Sequence, residues 1–149
     1  PEHVEKGAGH ACPDALTRRL VRLHFVDFVR GQTDLYRAQE VLEAKIETHV
    51  DGVTRGVAKV HFEGASRCEA GGEWSRSVET KIFGEATYDS RTARFTSVEM
   101  IATGTRRGRT RYNFRETDLG PAAIGFALTL AGDAPEERVA PAFYWEYGW

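Results

Sequence analysis

From Val41 to Thr105 the chain alternates apolar and polar residues in runs broken at Asp51-Gly52, Ala70-Gly71-Gly72 and Asp89-Ser90-Arg91-Thr92. A period of two sends successive side chains to opposite faces, so each run specifies a half-buried antiparallel strand and each break a short turn. No other feature limits the possible folds so strongly. It sets a fold class and leaves function open.

The registers can be tested against burial. Leu42, Ala44, Ile46, Thr48 and Val50 share one face of the first run, with Glu43, Lys45, Glu47 and His49 on the other, and Ala58, Val60 and Phe62 continue the apolar face after the turn. A two-residue turn at Asp51-Gly52 would put Lys59 and His61 on the side of Ile46 and reverse the polarity. Burial is restored by a longer turn reaching Gly56 or a bulge between Val53 and Gly56, pairing Ile46 with Val60 and Ala44 with Phe62. The next hairpin turns Val78, Thr80, Ile82, Gly84, Ala86 and Tyr88 inward, and returns from Asp89–Arg94 through Phe95, Val98, Met100 and Ala102. The step of three between Phe95 and Val98 asks for a second bulge near Thr96 and Ser97. A last strand sets Ile124, Phe126, Leu128 and Leu130 against the small Ala123, Gly125, Ala127 and Thr129.

About six sequential strands with turn-sized connections make an all-β antiparallel meander, and its bulges should curl it into a barrel or half-barrel. The architecture loosely resembles the lipocalin-like and lipoprotein-carrier-like curved sheets. No diagnostic motif of either family stands in these residues, so no family is assigned. The 149 residues suit one domain, with residues 1–12 as a mobile arm. Cys12-Pro13-Asp14 opens a short helical turn at Ala15. Val21, Leu23, Phe25 and Val29 then favour a strand from about Arg19 to Arg30, against a helix with Leu16, Leu20 and Leu23 on one stripe.

A net charge of -2 with 28% charged residues excludes a globally basic nucleic-acid binder, and no apolar run approaches a bilayer span. Neither nucleic acid nor membrane is an expected partner. The absence of an initial Met and a candidate Cys12–Cys68 disulfide suggest a secreted or periplasmic protein; two free thiols in a cytosolic protein are the alternative.

No phosphate loop, dinucleotide fingerprint, nucleophile elbow, paired CxxC or HExxH is present. No cofactor is expected. Asp27 is the most anomalous residue, since the strand assignment puts it on the apolar face of Val21, Leu23, Phe25 and Val29. An unpaired carboxylate there would have a raised pKa and serve as a general acid or base; paired with an arginine or set at a strand end, it is structural. His49 and His61 face outward as solvated strand histidines. His3 and His10 belong to the arm, and no metal site is expected.

Arg106, Arg107, Arg109, Arg111 and Arg115, interleaved with Tyr112 and Phe114, form the densest charge cluster. It reads as a solvated hairpin balanced by nearby acids, or as a pocket rim in which Arg107, Arg109 and Arg111 select an anionic ligand. Phe143, Tyr144, Trp145, Tyr147 and Trp149 place five aromatics in the last seven residues; these are expected to fold back on the sheet, or to form a homodimer contact. Three functions follow. A concave face including Tyr88, Phe62, Met100 and Phe126 binds a small apolar ligand or a partner; a small-barrel enzyme uses Asp27; or the domain serves structure and assembly.

Overall fold

A computed structural model describes residues 4–138. The aromatic run from Phe143 to Trp149 and His3 of the arm lie outside the described residues. The chain forms β1 (Gly9–Ala11), α1 (Asp14–His24), β2 (Val41–Thr54), β3 (Val57–Ala70), β4 (Arg76–Asp89), β5 (Arg94–Gly108) and β6 (Ala122–Thr129), with short 3-10 turns at Ala38–Glu40 and Pro135–Arg138. The strands lie in sequence order, each antiparallel to the next. The meander is as expected, but the sheet is open: β1 and β6 are its two edges, so it curls without closing into a barrel. Among the described residues no helix is long and apolar enough to cross a membrane.

The irregularity required after Val50 is present, with different partners. Arg55 and Gly56 hold φ of 51° and 79°, the two left-handed residues of a type I′ turn, and Thr54 pairs with Val57 across them. The register shift lies between Val50 and Gly52, so Asp51 is the extra residue. Val50 therefore pairs with Val60, Ile46 with Gly64 and Ala44 with Ser66, correcting the expected Ile46–Val60 and Ala44–Phe62 pairs. The slip is four residues. An even slip leaves every side chain on its face, so the core face was identifiable although its partners were not. Thr87 pairs with Ser97 and Tyr88 with Phe95, leaving Thr96 as the second bulge, where expected. At the other end of β2 a shift at Leu42 turns that side chain out and Val41 in.

Curvature has a further source. Gly64, Gly84 and Gly104 lie in the central band of the concave face, where neighbouring strands approach closely. A Cβ on Gly104 would stand 1.8 Å from the Glu79 carbonyl oxygen, and one on Gly64 2.3 Å from that of Lys45. Only glycine permits that approach.

The segment expected as a strand from Arg19 to Arg30 is a helix as far as His24, followed by a bend at Phe25 and Val26 and a turn at Val29 and Arg30. Asp14 in the first turn, Arg22 and His24 in the last, and an Asp14–Arg18 ion pair at 3.0 Å all favour helix. The misleading alternation has a physical origin. Val21 and Leu23 are both buried at the end of the helix, and the chain leaves through the buried Phe25 and Val26. Two adjoining elements thus mimic one strand. The helix and this exit pack on the concave face with Phe25 against Phe126 at 5.2 Å between ring centres, joining Ile46, Ile82, Ala102 and Ile124 in one core. Residues 9–11, expected within a mobile arm, are hydrogen-bonded to β2 as its edge neighbour.

The cysteines do not pair. The Cys12 amide bonds the Ile46 carbonyl, whereas Cys68 lies opposite Val41. These positions are about 13–17 Å apart along β2, beyond the reach of a disulfide. Burial pushes the Cys68 thiol up to about 12 and raises that of Cys12.

Candidate functional site

Asp27 lies just beyond α1, in the loop running to Tyr36, and not on a strand. Its carboxylate is enclosed by Arg115, whose Nε donates to Oδ2 at 2.5 Å and Nη2 to Oδ1 at 3.0 Å. The Val29 amide also donates to Oδ1, at 3.3 Å. Both oxygens are engaged, and both residues are buried. Arg115 spans two acids, since its Nη1 bonds Asp118 Oδ2 at 2.5 Å. Asp118 in turn receives Arg106 Nη2 at 2.9 Å and Arg30 Nη2 at 3.3 Å, while Arg106 Nη1 donates to the Asp118 carbonyl. The guanidinium of Arg115 is held more firmly protonated than usual, chiefly by its hydrogen bonds to Asp27.

This network divides the arginine cluster in two. Arg106 and Arg115 are buried structural members, 5% exposed each. Arg107 and Arg111 face solvent, and Arg109 is half-buried with its guanidinium 5.0 Å from the centre of the Trp74 ring. Arg111 stands 5.9 Å over the Tyr112 ring, and a side-chain hydrogen bond with Tyr112 raises its affinity for its proton. Of these three, only Arg107 lines the crevice beside Asp27. This crevice, of about 10 Å³, lies between Asp27, Thr33, Tyr36, Arg76, Thr110 and Asn113. That volume takes one water and no larger ligand. Arg76 lines it with a buried Nε that has no partner among the described residues, while its Nη2 bonds the Asp34 and Leu35 carbonyls at 3.1 Å each.

Between the buried Asn113 and Arg115 the chain presents Phe114. The Asn113 side-chain oxygen accepts from the Thr110 amide at 3.0 Å and the Arg115 amide at 3.4 Å, reversing the chain on itself. Phe114 consequently holds φ of 52°, a costly conformation for a bulky residue. It is 73% exposed, and Val29, on the facing loop, 72%. Gly31 joins the two loops: a Cβ there would meet the Tyr112 carbonyl oxygen at 2.9 Å and the Phe114 ring at 3.4 Å. Thr33 and Thr110 add a hydroxyl–hydroxyl bond of 3.1 Å between the same loops. The result is an apolar face of Val29, Tyr112 and Phe114 with Arg109 and Arg111 beside it.

The residues expected to line a concave ligand face lie on the core side of the sheet, apart from the Phe114 loop. Phe62 is buried in the core, Phe126 stacks on Phe25, Tyr88 packs edge-on to Phe95 at 5.2 Å, and Met100 is half-buried against the core. His49 and His61 lie outward as expected, stacked at 5.0 Å, with His61 bonded to Asp51 at 2.7 Å. Among the described residues no group of three histidine, cysteine or acidic side chains is placed to hold a metal. The alternation carried no trace of Asn113, Gly31 or Asp118. The signal that did exist was Asp27, a carboxylate needing a cation, together with an arginine cluster one of whose members supplies it. No protein-family model, curated protein or solved structure matches the chain.

Proposed function

We propose that this protein is a recognition module that binds a partner macromolecule through the loop face around Phe114. One observation carries the reading: a large apolar side chain stands 73% exposed at a left-handed backbone position, on a loop clamped by buried ion pairs. Strain of that kind persists only where the surrounding structure imposes it, and it concentrates at binding sites. A rigid aromatic anchor loses little conformational entropy on docking, and Arg109 and Arg111 alongside suit a partner carrying carboxylates. Catalysis at Asp27 is less favoured, because Arg115 and the Val29 amide already engage both of its oxygens.

Native mass spectrometry of the protein purified from its own host, beside Phe114→Ser, tests the proposal. The wild type should carry a second polypeptide, a copy of itself or another chain, that the variant lacks. Two bare monomers would overturn it. So would a small apolar molecule held equally by both, which would point instead to Tyr88 and Met100 on the concave side.

A further inference from the structure

The convex face carries a feature that complements the Phe114 face. Phe83 and Ile101 are directly opposite each other on β4 and β5, each 54% exposed, in an open groove of about 350 Å³ whose other walls include His61, Glu63, Glu85 and Glu99. Glu85 lies directly opposite Glu99, and Glu63 directly opposite Phe83. Like charges facing across a ladder are unfavourable. None of these three glutamates makes an ion pair or side-chain hydrogen bond among the described residues. The apolar strip is thus bordered on one side by Glu85 and Glu99, with Glu63 at its end, and on the other by Ala65, Lys81 and Thr103.

Six residues along β4 separate Phe83 from Ser77, which pairs with Arg107 at the start of the arginine loop. At a strand's rise this is about 20 Å, so the two faces do not overlap. One presents aromatic and aliphatic side chains with arginines, the other an apolar groove with glutamates.

We propose, resting on the recognition role above, that the partner is a second copy of this chain, docked head to tail with Phe114 and Val29 of one protomer over Phe83 and Ile101 of the next. Arg109 and Arg111 then meet Glu63, Glu85 and Glu99. The charge complementarity is specific to this orientation, because pairing either face with itself opposes like charges. The contact is heterologous: each copy uses one face and leaves the other free, so association continues into rings or filaments.

Sedimentation velocity at rising concentration in low salt, on wild type, Phe114→Ser and Phe83→Ser, tests this. Both substituted residues are exposed, and circular dichroism checks that the variants remain folded. Wild type should form dimers and longer species, weakened at least tenfold in each variant and in high salt. Mixing the two variants should restore a 1:1 dimer, since one contributes an intact Phe114 and the other an intact groove, with no longer species. A wild type that stays monomeric overturns the proposal, as does a mixture that fails to pair, which marks a contact of like faces. Binding of the monomer to phosphatidylserine vesicles without self-association also overturns it, in favour of a membrane. If self-association is absent while native mass spectrometry finds a different polypeptide lost in Phe114→Ser, only the self-docking fails. Association abolished by Phe83→Ser and untouched by Phe114→Ser overturns both.

Discussion

Replacing Arg115 by Met should show how firmly the Phe114 loop is anchored. Arg115 is 5% exposed and Asp27 8%, so the substitution strands the Asp27 carboxylate with only the Val29 amide at 3.3 Å. Breaking a buried pair by removing one partner costs about 3–5 kcal/mol. Asp118 adds little to that cost, because Arg106 and Arg30 still reach it. Asp27→Asn is milder. It retains an oxygen acceptor, and Arg115 keeps Asp118, so the loss is that of a charge-assisted hydrogen bond, about 1.5–3 kcal/mol. Against a total of about 5–15 kcal/mol for an ordinary domain, Arg115→Met folds with a small margin. The double variant Asp27→Leu/Arg115→Met removes both charges and should recover about 2 kcal/mol or more over Arg115→Met alone, since an apolar pair often replaces a buried ion pair without loss. Equilibrium urea unfolding, with the slopes compared, reads all four proteins. An Arg115→Met variant within about 1 kcal/mol of wild type, or a double variant no better than the single, would refute the reasoning.

Gly104→Ala places a methyl 1.8 Å from the Glu79 carbonyl oxygen and should cost about 3 kcal/mol, at the upper end for overpacking; an unchanged urea midpoint would show that the strands need not approach so closely. Cys12 should alkylate in the folded protein well before Cys68, whose thiol is buried and pushed up to about 12; equal rates, or a native mass showing the oxidised pair, would contradict the register. Asp89, held down to about 2 chiefly by the Arg91 side chain, stabilises the fold while ionised, so its contribution is complete above its ordinary pKa near 3.8 and is lost as pH falls towards 2. The advantage of wild type over Asp89→Asn in urea should therefore be level near neutrality and vanish across that acid window; a difference unchanged at pH 2 would exclude this role.

The strand faces could be read from the residues because a period of two is local and each face meets one environment. Val60, Ile82 and Ala102 needed no knowledge of their partners to be placed inside. Partners were harder. Asp51-Gly52 and Arg55-Gly56 both offer a turn, and only the bulge at Asp51 decides between them. The span from Val21 to Asp27 misled because the helix and its bent exit are both buried, so two geometries share one pattern. Openness of the sheet was not inferable either, since closure depends on how the edge strands β1 and β6 meet, and no local pattern encodes that. In the candidate site, Asp27 drew notice by its charge, but its partner Arg115 is 88 residues away in sequence. Phe114 appeared only as one aromatic among arginines. Its exposure follows from the Asn113 side chain and the ion pairs that turn the chain around it, and such contacts have no period.

Hydrogen exchange of the associated protein against the free monomer tests most directly whether recognition takes place at the Phe114 face. Amides of residues 28–33 and 109–116 should gain protection on association. Protection confined to the concave-side strand segments around Tyr88 and Met100, with the loops exchanging as in the monomer, would contradict it.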